Sequence, residues 1–318
     1  MVNVMISKKV SVIVPAYNAQ ETIKECIDSL INQKISVNII IVNDGSTDKT
    51  SKILKEYKDS KNIFVIETKH IGVSNARNVA IKLVKTDYVT FVDADDIVTE
   101  YYVDNLLKEI TYFKADLSIC GYSLDNHPVN LKQHDNYTSE EFVKDIITPG
   151  NCGGYVWNKL FRLDIIREHS IYFDSHIQFG EDLLFCAKYG KFCSKIVVGN
   201  SVDYIKGSDG VSSIYKFNTS FSYKIFDLLK VYDRLKSLYA DNKTIIREVC
   251  GRQCVLAADI SRMLMFQDKK SKTLKGIMYS NLISVIKSRK LKLREKVKPF
   301  LVLSFPVIQH WVDVNKLR

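Results

Sequence analysis

Two carboxylates stand two residues apart in Asp93-Ala94-Asp95, directly after the apolar run Tyr88 to Val92. If that run is a strand, alternation turns both carboxylates to one face, where their oxygens can hold a hard cation such as Mn2+ or Mg2+. Such a pair also serves as a plain loop or helix-capping element, so its chemistry depends on what is delivered beside it. A divalent ion there would neutralise the phosphates of a nucleotide and stabilise a departing diphosphate.

The elements that must position this pair are written in two hydrophobic periods. Val10–Val14, Ile39–Val42, Ile63–Ile66 and Tyr88–Val92 read as strands. Between them, Ile23, Cys26, Ile27, Leu30 and Ile31 fall at helical spacing, as do Thr50, Ile53, Leu54 and Tyr57, and then Val73, Ala76, Ala80, Leu83 and Val84. Asn18 with Glu21 reads as a capping box for the first helix, and Ser46 as the cap of the second. Apolar strands alternating with helices predict an α/β fold with a mostly parallel, Rossmann-like sheet covered on both faces. In such sheets ligands bind beyond the carboxyl ends of the strands. The polar groups Pro15-Ala16-Tyr17-Asn18, Asn43-Asp44-Gly45-Ser46, Glu67 to His70 and Asp93 to Asp96 all fall at those ends.

Further on, Ala115–Cys120 is a strand candidate, Leu124–Asn136 reads as a long loop, and residues 155–193 as mixed helix and loop. Helices are expected over 220–238, with Ile225, Leu228, Leu229 and Tyr232 on one face, and over 244–265. The chain of 318 residues is long enough for two or three domains. Its net charge of +10 is uneven: residues 1–214 carry 24 basic and 28 acidic side chains, residues 215–318 carry 22 and 8. The expected division is therefore a first region over 1–214, followed by a basic helical extension over 215–318. Seven cysteines without a C-x-x-C pair argue for reduced thiols in a cytoplasmic protein rather than a disulfide or zinc framework.

The segments Val10-Ser-Val-Ile-Val-Pro-Ala-Tyr-Asn18, Ile41-Val-Asn-Asp-Gly-Ser-Thr-Asp48, Gly72-Val-Ser-Asn-Ala-Arg-Asn78 and Phe91-Val-Asp-Ala-Asp-Asp96 resemble the family 2 glycosyltransferases of the GT-A fold, in order and in spacing. Trp157-Asn-Lys-Leu-Phe-Arg162 with Phe179-Gly-Glu-Asp-Leu-Leu-Phe185 resembles the acceptor half of bacterial members, which implies a GT-A catalytic domain over 1–214 with a nucleotide-sugar half over about 1–100 and an acceptor half over about 101–214. The resemblance implies an inverting transfer of a sugar from a UDP-sugar to a hydroxyl of a glycan: a cell-surface polysaccharide, a glycoprotein glycan or a lipid-linked saccharide. It implies donor binding by Pro15, Ala16 and Tyr17 against the base, by Asp44 on the uracil, by His70 near base or ribose, and by Asp93, Ala94 and Asp95, with the metal on Asp93 and Asp95. Asp44 could instead cap a helix, a task Ser46 and Asp48 can perform. Arg77 would approach the nucleotide or order the Asp cluster. Asp182, beside Glu181, would be the general base, the plainer reading being the start of an amphipathic helix. Trp157 would stack on an acceptor sugar or sit in the core.

One departure stands out. The segment Tyr204 to Ser213 lacks the His that many relatives carry after the base, leaving Lys206 for phosphate and Asp209 or a serine for the metal. Gly207 and Gly210 suggest a lid ordered by nucleotide.

From Lys269 to Lys298 basic residues dominate, and the following run Phe300–Ile308 is too short to cross a bilayer. That pattern fits an anionic membrane surface or, equally, packing against the catalytic domain or a second subunit, which leaves homo-oligomerisation open. Nucleic acid is disfavoured by sparse aromatic interleaving in the basic stretch. Two competing functions remain. One is a catalytically inactive nucleotide-sugar or glycan-binding module, against which Asp93, Asp95 and Asp182 are all intact. The other is a nucleotidyltransferase, whose Gly-rich phosphate loop is missing from Pro15 to Gln20.

Overall fold

The computed structural model describes residues 9–304 apart from 126, 149–151, 208–221, 266–268 and 270. Four strands form a parallel ladder in the order β3-β2-β1-β4: β1 (Val10–Ala16), β2 (Asn38–Asn43), β3 (Ile63–Glu67) and β4 (Tyr88–Phe91). Every residue of β1 but Pro15 is buried, because the sheet is covered on both sides: Val12 and Val14 belong to one core, Ile13 to the other. Ser11 is tolerated inside because its hydroxyl accepts from Thr86 Oγ1 at 2.9 Å.

Three crossover helices join these strands: α1 (Ile23–Ile31), α2 (Thr50–Leu54) and α3 (Val73–Leu83). Their starts differ from the sequence expectation. Asn18 lies at φ 49° and accepts from Thr47 N at 2.8 Å, tying the first loop to the second instead of forming a capping box with Glu21. Ser46 donates to Asn43 Oδ1 at 2.5 Å, and it is Asp48 that accepts from Thr50 N at 2.9 Å to open α2. The inner face of α3 is also rotated. Val73 and Leu83 are exposed, whereas Ser74, Arg77 and Ile81 join Ala76 and Ala80 inside.

Beyond β4 come β5 (Ile97–Val98), α4 (Tyr102–Tyr112) and β6 (Leu117–Leu124). The predicted loop 124–136 contains instead β7 (His127–Val129) and β8 (His134–Tyr137), which pair with β6 and with a later strand; polar side chains on these edge strands hid them. After α5 (Ser139–Ile146), β9 (Lys159–Arg162) inserts antiparallel between β4 and β6. It is followed by α6 (Leu163–Glu168), α7 (Glu181–Gly190) and β10 (Ile196–Ile205), which runs parallel to β6. Neither β9 nor β10 was expected.

The remaining described helices are α8 (Phe226–Leu238), α9 (Lys243–Met265), α10 (Lys272–Lys287) and α11 (Leu293–Ser304). The first two share the sheet's core through Val231, Tyr232, Leu235, Ile245 and Val249, while Cys254, Met278, Val285 and Val302 centre a separate core among the helices. Tyr239 Oη donates to Ala187 O at 2.7 Å, and Asp227 accepts from Gln178 N at 2.9 Å, so the extension is fastened to both ends of α7.

Candidate active site

The parallel ladder releases four loops at one edge, as its topology requires. Pro15 and Ala16 close β1, and Tyr17 follows, 47% exposed, with its ring 4.2 Å from the His70 imidazole beyond β3. The loop carrying His70 lies close against the one after β2. A Cβ on Gly45, which adopts φ 70°, would stand 2.7 Å from His70 N, so glycine is required for the approach. Pro15, Tyr17, Val73, Asp93, Ala94 and Asp95 line one depression.

Asp44, 3% exposed, uses its carboxylate within the chain. It accepts from Ile71 N at 2.6 Å, Gly72 N at 2.8 Å and Thr68 Oγ1 at 2.8 Å. It therefore serves as a cap, for α3 and from a neighbouring strand.

Asp93 and Asp95 are presented by a turn rather than by strand alternation: β4 ends at Phe91, and Asp96 N donates to Asp93 O at 3.1 Å. Ala94 is buried between them, Asp95 is exposed, and Asp96 is 1% exposed. One carboxylate oxygen from each of Asp93, Asp95 and Asp96 lies within 4.8 Å of the others. These hard donors fit a divalent cation. Their partners divide the work. Asp95 makes no hydrogen bond or ion pair among the described residues, and Asp93 lends Oδ1 to Arg77 while its Oδ2 lies 3.5 Å from Lys206 Nζ. Asp96 is committed to Tyr204 Oη at 2.6 Å, Lys206 Nζ at 2.6 Å and Gly207 N at 2.9 Å. Asp93 and Asp95 are thus the available pair, and Asp96 locks β10 against their turn. The approach is close enough that a Cβ on Gly207 would stand 2.2 Å from Asp95 O.

Arg77, 4% exposed, is the centre of the site. Its Nη2 donates to Asp93 Oδ1 at 3.0 Å, and its Nη1 to Asp182 Oδ1 at 2.7 Å and Glu181 Oε1 at 3.3 Å. Of the two tasks weighed for it, ordering the acidic cluster is the one seen. Burial opposes its charge, but Asp182, Asp93 and Glu181 outweigh burial and hold the guanidinium above its ordinary value. Three carboxylates around one cation leave an excess of negative charge. Burial, with Glu181 and Asp93 adding to it against Arg77, raises Asp182 to about 7, and burial raises Glu181 as well. Gly180, at φ 90°, starts α7 so that both acids sit in its first turn.

Lys206 Nζ lies 2.6 Å from Asp96 Oδ2 and 3.5 Å from Asp93 Oδ2, which keep it protonated despite burial. Asp96 itself is pushed up to about 6 by burial, with Lys206 acting against the shift. Lys206 therefore faces the acidic cluster from the end of β10. Asp209 and Gly210 lie outside the described residues.

Trp157 is 5% exposed and stacks on Tyr155 and Tyr204, with ring centroids 4.7 and 4.4 Å away. That is the core alternative; little of the ring is left for a sugar. Its neighbour Lys159 is fully buried, with Nζ donating to the carbonyls of Cys152, Gly153 and Tyr155 and to Asn158 Oδ1 at 2.8–3.1 Å. This ammonium gathers the loop from Cys152 to Tyr155 that leads into Trp157. Asp96, Tyr204 and Lys159 were not singled out from sequence, although Asp96 and Lys159 lie inside quoted motifs; β10, which carries Tyr204, was not recognised.

Comparison with known proteins agrees with this architecture. Residues 11–169 match the family model described as glycosyl transferase family 2. The chain is 36% identical over 183 residues to the uncharacterized glycosyltransferase EpsJ of Bacillus subtilis, covering 54% of this chain and 53% of that protein. It is 34% identical over 209 residues to a poly(ribitol-phosphate) beta-glucosyltransferase of Bacillus spizizenii, covering 62% of this chain and 32% of that one. The chain thus spans about half of the first relative's length and a third of the second's. Residues 1–349 of Staphylococcus aureus TarS, solved with UDP, superpose at a TM-score of 0.70 with 19% identity, over 95% of this chain and 89% of that one, a likeness of fold.

Proposed function

The chain belongs to glycosyl transferase family 2, with a GT-A fold, and from that premise we propose that it transfers a hexose or N-acetylhexosamine, with inversion, from a UDP-sugar to a glycan hydroxyl. The observation that carries the reading is the single buried Arg77 that joins Asp93 of the metal pair to Asp182, which lies 105 residues from the arginine in sequence. Inversion needs a base and a leaving-group clamp on opposite sides of one sugar, and this ion-pair network fixes the distance between them.

In this reading Tyr17, backed by Pro15, Ala16 and His70, offers an exposed aromatic surface to the uracil. Asp44 holds the loop that brings His70 there and has a remaining lone pair for the ring N–H. Asp93 and Asp95 would hold Mn2+ or Mg2+, which when bound supplies positive charge against the diphosphate. Lys206 adds a fixed positive charge on the same side. Asp182, raised to about 7, is poised to take the proton of the attacking hydroxyl near neutral pH. Glu181 and Arg77 hold its carboxylate in place.

The names of the relatives point to cell-wall or surface polysaccharides as the acceptor class. Seven unpaired cysteine thiols support a cytoplasmic site of action. The test is UDP release from a panel of UDP-hexoses with glycan acceptors. Asp182→Asn should keep UDP binding and lose about a hundredfold or more in turnover. Turnover equal to the wild type would remove Asp182 from the mechanism, and absence of transfer with every donor would favour the binding-module alternative.

A further inference from the structure

The helices α10 and α11 expose a surface that the transfer reaction does not use. On α10, Tyr279, Ile283 and Ile286 recur at helical spacing and are 64%, 67% and 60% exposed. On α11, Leu293, Val297 and Phe300 do the same at 78%, 42% and 37%. The two helices approach each other at the end of the first stripe, where Lys296 of α11 donates through Nζ to Ile286 O at 3.1 Å. The opposite side of each helix carries the extension's own core, with Leu274, Met278 and Val285 from α10 and Val302 from α11. Both helices are therefore apolar on two sides, and one side has no partner among the described residues.

The charge around the stripe is of one sign. Lys272, Lys275, Lys287, Arg289, Lys292 and Arg294 are exposed and make no ion pair among the described residues. The one acid within 272–298, Glu295, is taken by Arg252 at 2.6 Å. A second copy of this face would bring like charges together, which argues against self-association. Aliphatic side chains ringed by lysine and arginine match an anionic bilayer surface: the apolar groups enter the acyl boundary while the cations meet headgroup phosphates. No helix among the described residues is long and apolar enough to span a membrane. We propose that the face formed by α10 and α11 docks the protein on an anionic lipid surface, lying on it rather than crossing it. The inference does not depend on the chemistry assigned to the site.

Flotation of the full chain with vesicles tests it. The protein should float with phosphatidylcholine vesicles containing phosphatidylglycerol, remain in solution with phosphatidylcholine alone, and detach as salt is raised. Ile283→Asp with Ile286→Asp should weaken the partition more than roughly tenfold. Lys275→Glu, Lys287→Glu and Arg294→Glu should each lower it roughly fivefold. Circular dichroism and UDP binding should be unchanged in each variant, since these side chains are exposed and outside the site. Failure of the wild type to float with anionic vesicles overturns the proposal, as does normal flotation of the aspartate variant. Loss with the charge reversals but not with the aspartates would assign the face to a soluble polyanion. A dimer in light scattering that the aspartates dissolve, with flotation unchanged, would assign it to a second copy.

Discussion

Replacing Arg77 by Met should cost several kcal/mol of stability, about 3–5, and the cost should depend on pH. The guanidinium is 4% exposed and makes three charge-assisted hydrogen bonds, at 2.7, 3.0 and 3.3 Å, to Asp182, Asp93 and Glu181. Met fills much of the volume but leaves the three carboxylates facing one another with little water. Removing one side of a buried ion pair costs about 3–5 kcal/mol. At about 2–4 °C per kcal/mol for a chain of this size, the midpoint should fall by about 10 °C. The sign with pH follows from proton counting. Without Arg77 the buried carboxyls bind protons more tightly folded than unfolded, so stability falls as pH rises. The gap between wild type and Arg77→Met should therefore widen from about pH 5 to about pH 8, with Arg77→Lys intermediate because one ammonium cannot span three carboxylates. Scanning fluorimetry across that range reads it. A neutral-pH midpoint equal to the wild type, or a gap that does not change with pH, would refute the claim that this guanidinium holds the acidic cluster together.

Two further outcomes follow from the same geometry. With Asp182 raised to about 7 and needed ionised, kcat/KM should rise with pH through about 7 and level off above it; a profile flat from about pH 5.5 to 8.5 would exclude Asp182 as the base. Lys159→Met should strand the carbonyls of Cys152, Gly153 and Tyr155 together with Asn158 Oδ1, lowering stability in urea unfolding by about 3–5 kcal/mol; a loss under about 1 kcal/mol would contradict the role given to the buried ammonium.

The sequence was most readable where period and burial agree. β1 to β4 are apolar on both faces, and their positions and the edge they share follow from that pattern. β9 and β10 were missed for a physical reason. Lys159 opens the first, and Gly199 to Asp203 breaks the second with polar residues that are satisfied only by tertiary partners, such as Asp203 accepting from Thr99 Oγ1 at 2.6 Å. Helix starts were misread because the capping groups come from distant loops: Asp44 serves α3, and Asn18 serves Thr47. At the site, the motifs pointed to Asp93, Asp95, Arg77 and Asp182, but not to the guanidinium's joining Asp93 to Asp182. That join is a contact between α3 and α7, and nothing local in the chain encodes it. Trp157 shows the converse: its motif allowed a sugar platform or core, and its place stacked between Tyr155 and Tyr204 makes it core.

Calorimetric titration of UDP into the purified protein, first with Mn2+, then with chelator, and again on Asp95→Ala, addresses the central claim most directly. Asp95 is exposed and makes no hydrogen bond among the described residues, so its removal should leave the fold intact. The account predicts saturable binding with Mn2+ that is lost both on chelation and in Asp95→Ala. Binding indifferent to metal and to Asp95, or no binding of UDP under any condition, would contradict a nucleotide site built on the Asp93 and Asp95 turn.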